Sequence, residues 1–335
     1  MSVVSGNIAI FVPHSGCPQQ CSFCNQRTIS GTEQPPTGLE AGRICRTALE
    51  GLPQRIGQVE IAFFGGSFTA ISREYMVELL EAVQPFLSDS RVKGIRISTR
   101  PDAIDVPRLD ILRRYGVTAI ELGAQSMDDA VLHLNRRGHR AEDVCKAAKL
   151  VREYGFSLGL QMMTGLYGAD ENSDYATASA LCALSPDTVR IYPTVVLEGT
   201  GLAEELRAGR YSPPGVEETI PLCVRLLALF EEHHIKVIRL GLQAAETLTA
   251  QVLGGCYHPA LGELCTGERY YHALLNEIER MGGRDFILRI SPRLRSQVTG
   301  QKKRNIARLR ESGYNISCYT DTALTDKAFL LDKLD

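Results

Sequence analysis

The sequence has no apolar run long enough to cross a bilayer; its longest, such as IAFFGG and LLALF, are far too short. Its N-terminus has neither a basic segment nor a long apolar one, so no secretory signal is expected and the predicted address is the cytoplasm. Net charge is also nearly absent: 37 Lys and Arg against 39 Asp and Glu leave −2, so any affinity for nucleic acid or membrane must come from a local patch. The 10 cysteines in 335 residues are too sparse for a disulfide scaffold, and a cytoplasmic address keeps them reduced. Internal repeats and low-complexity segments are missing as well. At 44% hydrophobic residues the chain can bury a sizeable core, as one large domain with an appendix or as two domains.

Short β-rich runs occur at Ile8–Val12, Val59–Phe64, Ile95–Ser98, Val117–Leu122, Phe156–Met162 and Thr188–Tyr192, with a seventh candidate at Ile235–Leu240. Segments of helical period lie between them; Arg73–Leu87 sets Met76, Leu79, Leu80 and Val83 on one face, and Ala141–Tyr154 and Val216–Glu232 behave similarly. Strands spaced by helices in this way imply parallel pairing through βαβ crossovers. The expected fold is therefore α/β, a partial (β/α)6 TIM-like barrel spanning residues 1–242, with a small α/β extension over 243–335. Function in such a barrel gathers in the loops at the C-terminal strand ends. Those loops are the cysteine-bearing CPQQCSFCNQ, then FFGGSF, STRPD, ELGAQS, QMMTG and RIYPT.

Cys17, Cys21 and Cys24 fall within eight residues as C-x3-C-x2-C, among Pro, Gln, Ser and Asn, which is loop and not core. A structural zinc would want four ligands, and His14 or a distant cysteine would have to complete the set. A [4Fe–4S] cubane normally takes four thiolates, so three would leave one iron open to an external ligand.

With Phe23 just before the last cysteine, this stretch resembles the defining motif of the radical S-adenosylmethionine (SAM) superfamily. STRPD, ELGAQS, NRRGHRAEDVC, GFSLGLQMM and RIYPTVVLEGTGLAEELRAGRY are similar, in order and spacing, to the radical SAM domain of the Elongator catalytic subunit, up to about Leu242. The resemblance implies a [4Fe–4S] cluster on Cys17, Cys21 and Cys24 and SAM as second cofactor. It further implies that Gly65 and Gly66 approach the SAM amino group, with Ser67 where much of the superfamily has Glu. Ser98 and Thr99 match ribose contacts, Ser98 replacing an acid. Gln125 matches a SAM-site glutamine, Arg137 a partner for the SAM carboxylate, Phe23 an adenine contact, and Met162, with Met163, a place beside the adenine. Tyr192 falls where it would face the substrate. The implied partners are a low-potential electron donor of flavodoxin or ferredoxin type and tRNA or another RNA. Other readings are small-molecule chemistry, as in the coproporphyrinogen dehydrogenases, and a non-catalytic iron–sulfur sensor or RNA-binding protein.

The Elongator subunit carries an acetyltransferase domain after its radical domain; residues 243–335 are too short for it, so no use of acetyl-CoA is expected. That region reads as helices at Gln243–Val252 and Gly262–Met281, strand DFILRIS, one helix across PRLRSQVTGQKKRNIARLRESG from the Ser291–Pro292 start to Gly313, and strand YNISCY. Between Arg284 and Arg310 stand nine Lys or Arg and one acid, giving +8 and leaving −10 for the remainder. Arg293, Arg295, Lys302, Lys303, Arg304 and Arg308 are the candidate RNA contacts; a solvated helix paired with acidic neighbours is the alternative. His139 and His258 read as structural, and Cys256, Cys265 and Cys318 as buried thiols rather than ligands of a second cluster.

Overall fold

The computed structural model describes residues 4–13, 17, 21–25, 34–53, 56–243, 246–324 and 328–334; His14 and Pro18–Gln20 lie outside them. The chain forms two compact units, Met1–Pro214 with Leu229–Tyr257, and Gly215–Ala228 with His258–Asp335.

The first unit is built on seven parallel strands: β1 (Val4–Val12), β2 (Ile56–Gly65), β3 (Val92–Thr99), β4 (Val117–Gln125), β5 (Ser157–Thr164), β6 (Thr188–Pro193) and β8 (Lys236–Leu240). They lie in the order β1-β2-β3-β4-β5-β6-β8, so nearly every strand sits beside its neighbour in the chain, and the sheet curls into a half-barrel. All six predicted strands are present and the seventh candidate closes the series. The parallel order sends each C-terminal strand end to the same rim, as the alternation of strands and helices required.

Helices between the strands start where the sequence supplies caps. Thr37 forms a reciprocal capping box with Glu40 ahead of α1 (Gly38–Glu50), Ser72 caps α2 (Arg73–Val83), and Asp105 caps α3 (Val106–Arg114). In α2 the four residues expected on one face, Met76, Leu79, Leu80 and Val83, are all buried. Farther along come α4 (Asp129–Leu134), α5 (Ala141–Glu153), α6 (Glu171–Ala183), α7 (Gly201–Arg207) and α8 (Val216–Glu232).

The helix expected over Gln243–Val252 is mostly not one. Of its described residues only α9 (Glu246–Thr249) is helical, and Val252 opens β9 (Val252–Gly255), which pairs antiparallel with β7 (Val195–Leu197). The three alanines and Leu248 of this stretch favour helix locally. Pairing with β7 and burial of Leu248 against Val195 and Leu197 override that preference.

In the second unit, β10 (Asp285–Ile290) lies between β11 (Asn315–Thr320), parallel to it, and β12 (Phe329–Lys333), antiparallel. The long helix α10 (Leu261–Met281) contributes Tyr271, Leu274 and Ile278 to a core with Phe286, Leu288, Ile290 and Ile316. The single helix expected from Pro292 onward is broken into α11 (Arg295–Thr299) and α12 (Arg304–Glu311), with a backbone reversal between them where Gly300, Lys302 and Lys303 have φ of 74°, 52° and 64°. A Cβ on Gly300 would come within 2.7 Å of Asn305 Oδ1, so the break needs glycine there. Asn305, 3% exposed, holds the break closed by donating its amide to the carbonyls of Gly267 (2.7 Å) and Val298 (3.1 Å).

Candidate active site

The rim loops of the half-barrel enclose a cavity of about 1170 Å³ lined by Cys17, Cys21, Phe23 and Cys24 on one side and by residues from β1 to β8 around the rest. The thiol loop is tied down at Ser22. Its N–H donates to Asn135 O (3.1 Å), its hydroxyl to Asn135 Oδ1 (2.9 Å), and its carbonyl accepts from Leu202 N–H at the start of α7 (2.7 Å). Asn135, fully buried, is itself fixed by donating to Val131 O and Tyr167 O at 2.8 and 2.9 Å. Cys24 N–H closes a turn onto Cys21 O at 3.1 Å.

Beside that loop lies the turn after β2. Gly65 has φ of 108°, and Gly66 N–H donates to Val12 O at 2.8 Å, which folds the turn back against the end of β1. Ser67 is buried, its hydroxyl 3.7 Å from Cys17 Sγ. After β3, the Thr99 hydroxyl is already engaged by the Thr69 hydroxyl at 2.6 Å, while Ser98 faces the cavity. Arg100, which as a sequence could be a surface arginine, is buried, lines the cavity and donates two hydrogen bonds to the Asp102 carboxylate, both 2.6 Å. That pairing raises its pKa further, with smaller contributions from Cys17 and Cys21.

β4 delivers Gln125 with φ of 68°, an uncommon conformation for a non-glycine residue, where the ladder to β5 slips register. Its Oε1 is buried without a partner among the described residues. Arg137 reaches across the same space: Nη1 donates to Cys21 Sγ (3.2 Å), Nη2 to Gly123 O (2.6 Å), and its Nε is likewise buried without a partner. Its guanidinium carbon stands 6.0 Å from the Phe23 ring centroid. His139 is buried, with Nε2 3.1 Å from Ala124 O; desolvation, then Arg137, pushes its pKa down to about 4, so it stays neutral. His258 Nδ1 accepts from Ala260 N–H at 3.1 Å, a local turn contact.

Met162 is the one predicted cofactor contact that the structure turns away. It is 0% exposed in the core, and its neighbour Met163 lines the cavity instead. Successive strand residues face opposite sides of the sheet, so only one of the pair could do so. Tyr192 does line the cavity; burial raises its phenol pKa, opposed by Arg190 and more weakly by Arg239.

Behind Ser98, Gln161 and Arg190 lies a charged cluster that the sequence reading missed. Glu121, 1% exposed, accepts from Arg190 Nε (2.8 Å) and Nη2 (2.9 Å), Gln161 Nε2 (2.8 Å), Arg96 Nη1 (3.2 Å) and Ser98 Oγ (3.4 Å). Arg96 is shared with Glu60 at 2.8 Å. The signal was one charged residue in the middle of each apolar strand run, GIRIST, TAIELG and TVRIYP.

As placed, no three Cys, His, Asp or Glu side chains among the described residues are grouped so that they could hold a metal ion. The donor set nonetheless fits an iron–sulfur cluster. The donors on offer are the three thiols of one short loop, no histidine or carboxylate among the described residues lines the cavity, and Arg137, which donates to Cys21 Sγ, suits the negative charge of a thiolate. Cys256 and Cys265 are buried elsewhere, and Cys318 is half-buried in β11 with its pKa raised by burial.

In the second unit the basic segment is partly neutralised. Arg304 pairs with Glu217 (2.8 and 2.5 Å), and Arg308 pairs with Glu268 (2.5 and 3.0 Å) while lying 3.6 Å over the Tyr271 ring. Arg295 donates to the Thr320 hydroxyl. Arg293, Lys302 and Lys303 are exposed.

Residues 11–179 match the family described as the radical SAM superfamily, and residues 186–270 match the radical SAM C-terminal domain. The chain belongs to the radical SAM superfamily. It is 28% identical over 239 residues to the tRNA uridine(34) acetyltransferase of Dehalococcoides mccartyi (strain CBDB1), covering 62% of this chain and 52% of that one. It is 29% identical over 255 residues to Elongator complex protein 3 of Homo sapiens, covering 67% of this chain and 46% of that one. The chain thus spans about half the length of these curated relatives. Among solved structures, the N-terminally deleted Elp3 of the archaeon Methanocaldococcus infernus superposes with a TM-score of 0.63 at 22% identity, covering 84% of this chain and 64% of that one. The resemblance to Elongator subunits and the partial barrel expected from the sequence are both borne out, and this radical SAM protein is an enzyme by family.

Proposed function

We propose that this radical SAM enzyme holds a [4Fe–4S] cluster on Cys17, Cys21 and Cys24 and binds SAM in the cavity they line. The observation that carries the reading is the convergence on that one cavity of the three thiols, the Gly65–Gly66 turn and two residues, Gln125 and Arg137, that each keep a buried polar atom without a partner among the described residues. Buried polar atoms normally have partners, so two such orphans on residues that line one cavity support a place built for a polar ligand. When bound, the cluster supplies, from a flavodoxin- or ferredoxin-type donor, the electron that cleaves SAM to methionine and a 5′-deoxyadenosyl radical, which abstracts hydrogen from substrate. The chain's own part is to orient. Arg137 offers a guanidinium to the SAM carboxylate, Phe23 a flat apolar face to the adenine, and Met163 takes the place beside it that Met162 was expected to fill.

The substrate we propose is a nucleoside in RNA. The names of the curated relatives support this, as do the exposed cations Arg293, Lys302 and Lys303. A small-molecule substrate is favoured by one observation, the capture of Arg304 and Arg308 by Glu217 and Glu268, which narrows the basic face. Mass spectrometry of RNA nucleosides from cells with and without this protein tests the first reading; a nucleoside that changes only with the protein supports it, and identical spectra favour the second. Reduced, reconstituted protein must in either case release 5′-deoxyadenosine from SAM, and failure to do so removes both.

A further inference from the structure

Four arginines line the cavity, Arg100, Arg137, Arg190 and Arg239, and no Asp or Glu does so among the described residues. Arg100 is neutralised by Asp102 and Arg190 by Glu121. Arg137, which donates to Cys21 Sγ and Gly123 O, is the arginine assigned above to the SAM carboxylate. Arg239 is different. It stands on β8, the strand at the opposite edge of the sheet from β1, which leads into the thiol loop, and its one hydrogen bond among the described residues runs from Nε to Gly241 O at 3.1 Å. No carboxylate among the described residues pairs with it.

Its neighbours sharpen the point. Arg239 is the register partner of Arg190 on β6, so two arginines sit at adjacent strand positions near one carboxylate, Glu121, and Arg190 already takes both oxygens of that carboxylate. Like charges in adjacent strand positions are unfavourable unless a counter-charge joins them. Tyr192, two residues beyond Arg190 on the same face of β6, lines the cavity beside both arginines, and its hydroxyl is a neutral donor. The region is rich in donors and short of acceptors.

We infer that Arg239, together with the Tyr192 hydroxyl, forms a subsite for an anionic group of the substrate, a phosphate or a carboxylate. The inference rests on the reading that this cavity holds SAM and substrate. A phosphodiester next to the reacting nucleoside supplies the anion if the substrate is RNA, and a carboxylate does so if it is a small acid. A planar guanidinium suits either oxyanion through paired hydrogen bonds.

The test is calorimetric binding to the reconstituted, SAM-saturated protein, using uridine 5′-monophosphate, uridine and succinate as probes, with Arg239→Gln and Arg239→Lys beside the parent. Among the described residues Arg239 makes a single hydrogen bond, to backbone, so both variants are expected to fold. The expected result is that one anion binds the parent more tightly than uridine does and loses about 10- to 100-fold in Arg239→Gln, with partial recovery in Arg239→Lys. Response of the monophosphate alone identifies phosphate as the group; response of succinate alone identifies carboxylate. SAM affinity, measured separately, should not move in either variant. Anion binding indifferent to Arg239→Gln, or no anion bound above uridine, overturns the subsite, and so does a loss of SAM affinity in Arg239→Gln, which would make Arg239 a cofactor residue. Failure of the parent to bind SAM at all would instead overturn the reading of the cavity.

Discussion

Replacing Glu121 by Gln keeps the size of the side chain and removes its charge at the most heavily bonded point of the barrel interior. The carboxylate is 1% exposed and takes five hydrogen bonds, three of them from arginines whose side chains are only 9% and 13% exposed. In the variant, one acceptor oxygen becomes an NH2 that faces donors, and Arg190 loses the carboxylate that partners it while Arg96 keeps Glu60. Breaking a buried pair by removing one partner typically costs about 3–5 kcal/mol, because the other charge is left desolvated. In a unit of this size that corresponds to a fall in Tm of roughly 6–20 °C. Urea unfolding should show a lower midpoint with an unchanged slope, and the loss should persist at high ionic strength, since a buried pair is little screened. In the Glu121→Gln background, Arg190→Gln should cost at least about 1 kcal/mol less than it does alone, because the two groups are coupled. A loss below about 1 kcal/mol for Glu121→Gln, or simple additivity in the double variant, would refute the view that this cluster holds the barrel interior together.

Anaerobic reconstitution should load about four irons per chain, and Cys21→Ala should lose most of that iron while far-UV circular dichroism stays unchanged. Arg137→Ala should keep its iron near the parent level but bind SAM about 10- to 100-fold more weakly; unchanged affinity would remove Arg137 from the cofactor site. Asp174 is buried in α6, where desolvation lifts its carboxyl to about 7 against the Gly165 N–H that it accepts. Because the unfolded chain releases that proton near pH 4 while the folded chain holds it, stability should fall as pH rises from about 4 to about 7, and Asp174→Asn should flatten that fall. If the basic face grips RNA, changing Arg293, Lys302 and Lys303 to Glu should weaken binding and lower the slope of log affinity against log salt by about 0.7–0.9 for each phosphate no longer neutralised; an unaltered salt slope would favour the small-molecule reading.

The strand series was legible because each strand is a short apolar run bounded by polar or glycine-bearing turns, and parallel topology then put all the motif residues on one rim. What the sequence could not express was direction and register. Met162 and Met163 are equivalent as letters, and only the placement of β5 between its neighbours decides which one sees the cavity. Glu121, Arg96 and Arg190 come from three different strands, so no local spacing ties them together. The interruption between Thr299 and Arg304 hid inside a good helical pattern, because it depends on an asparagine reaching back to the carbonyls of Gly267 and Val298. Strand β12 went unread, since its short apolar run gains meaning only from pairing with β10.

Ser22 separates the anchoring of the thiol loop from its chemistry. The bonds made at Ser22 run to Asn135 and Leu202 and use backbone groups, a hydroxyl and an amide, with no sulfur among them. Loss of a cluster held as we propose would leave these bonds in place. On that reading, restoring the protein would mean reloading one loop rather than refolding a barrel.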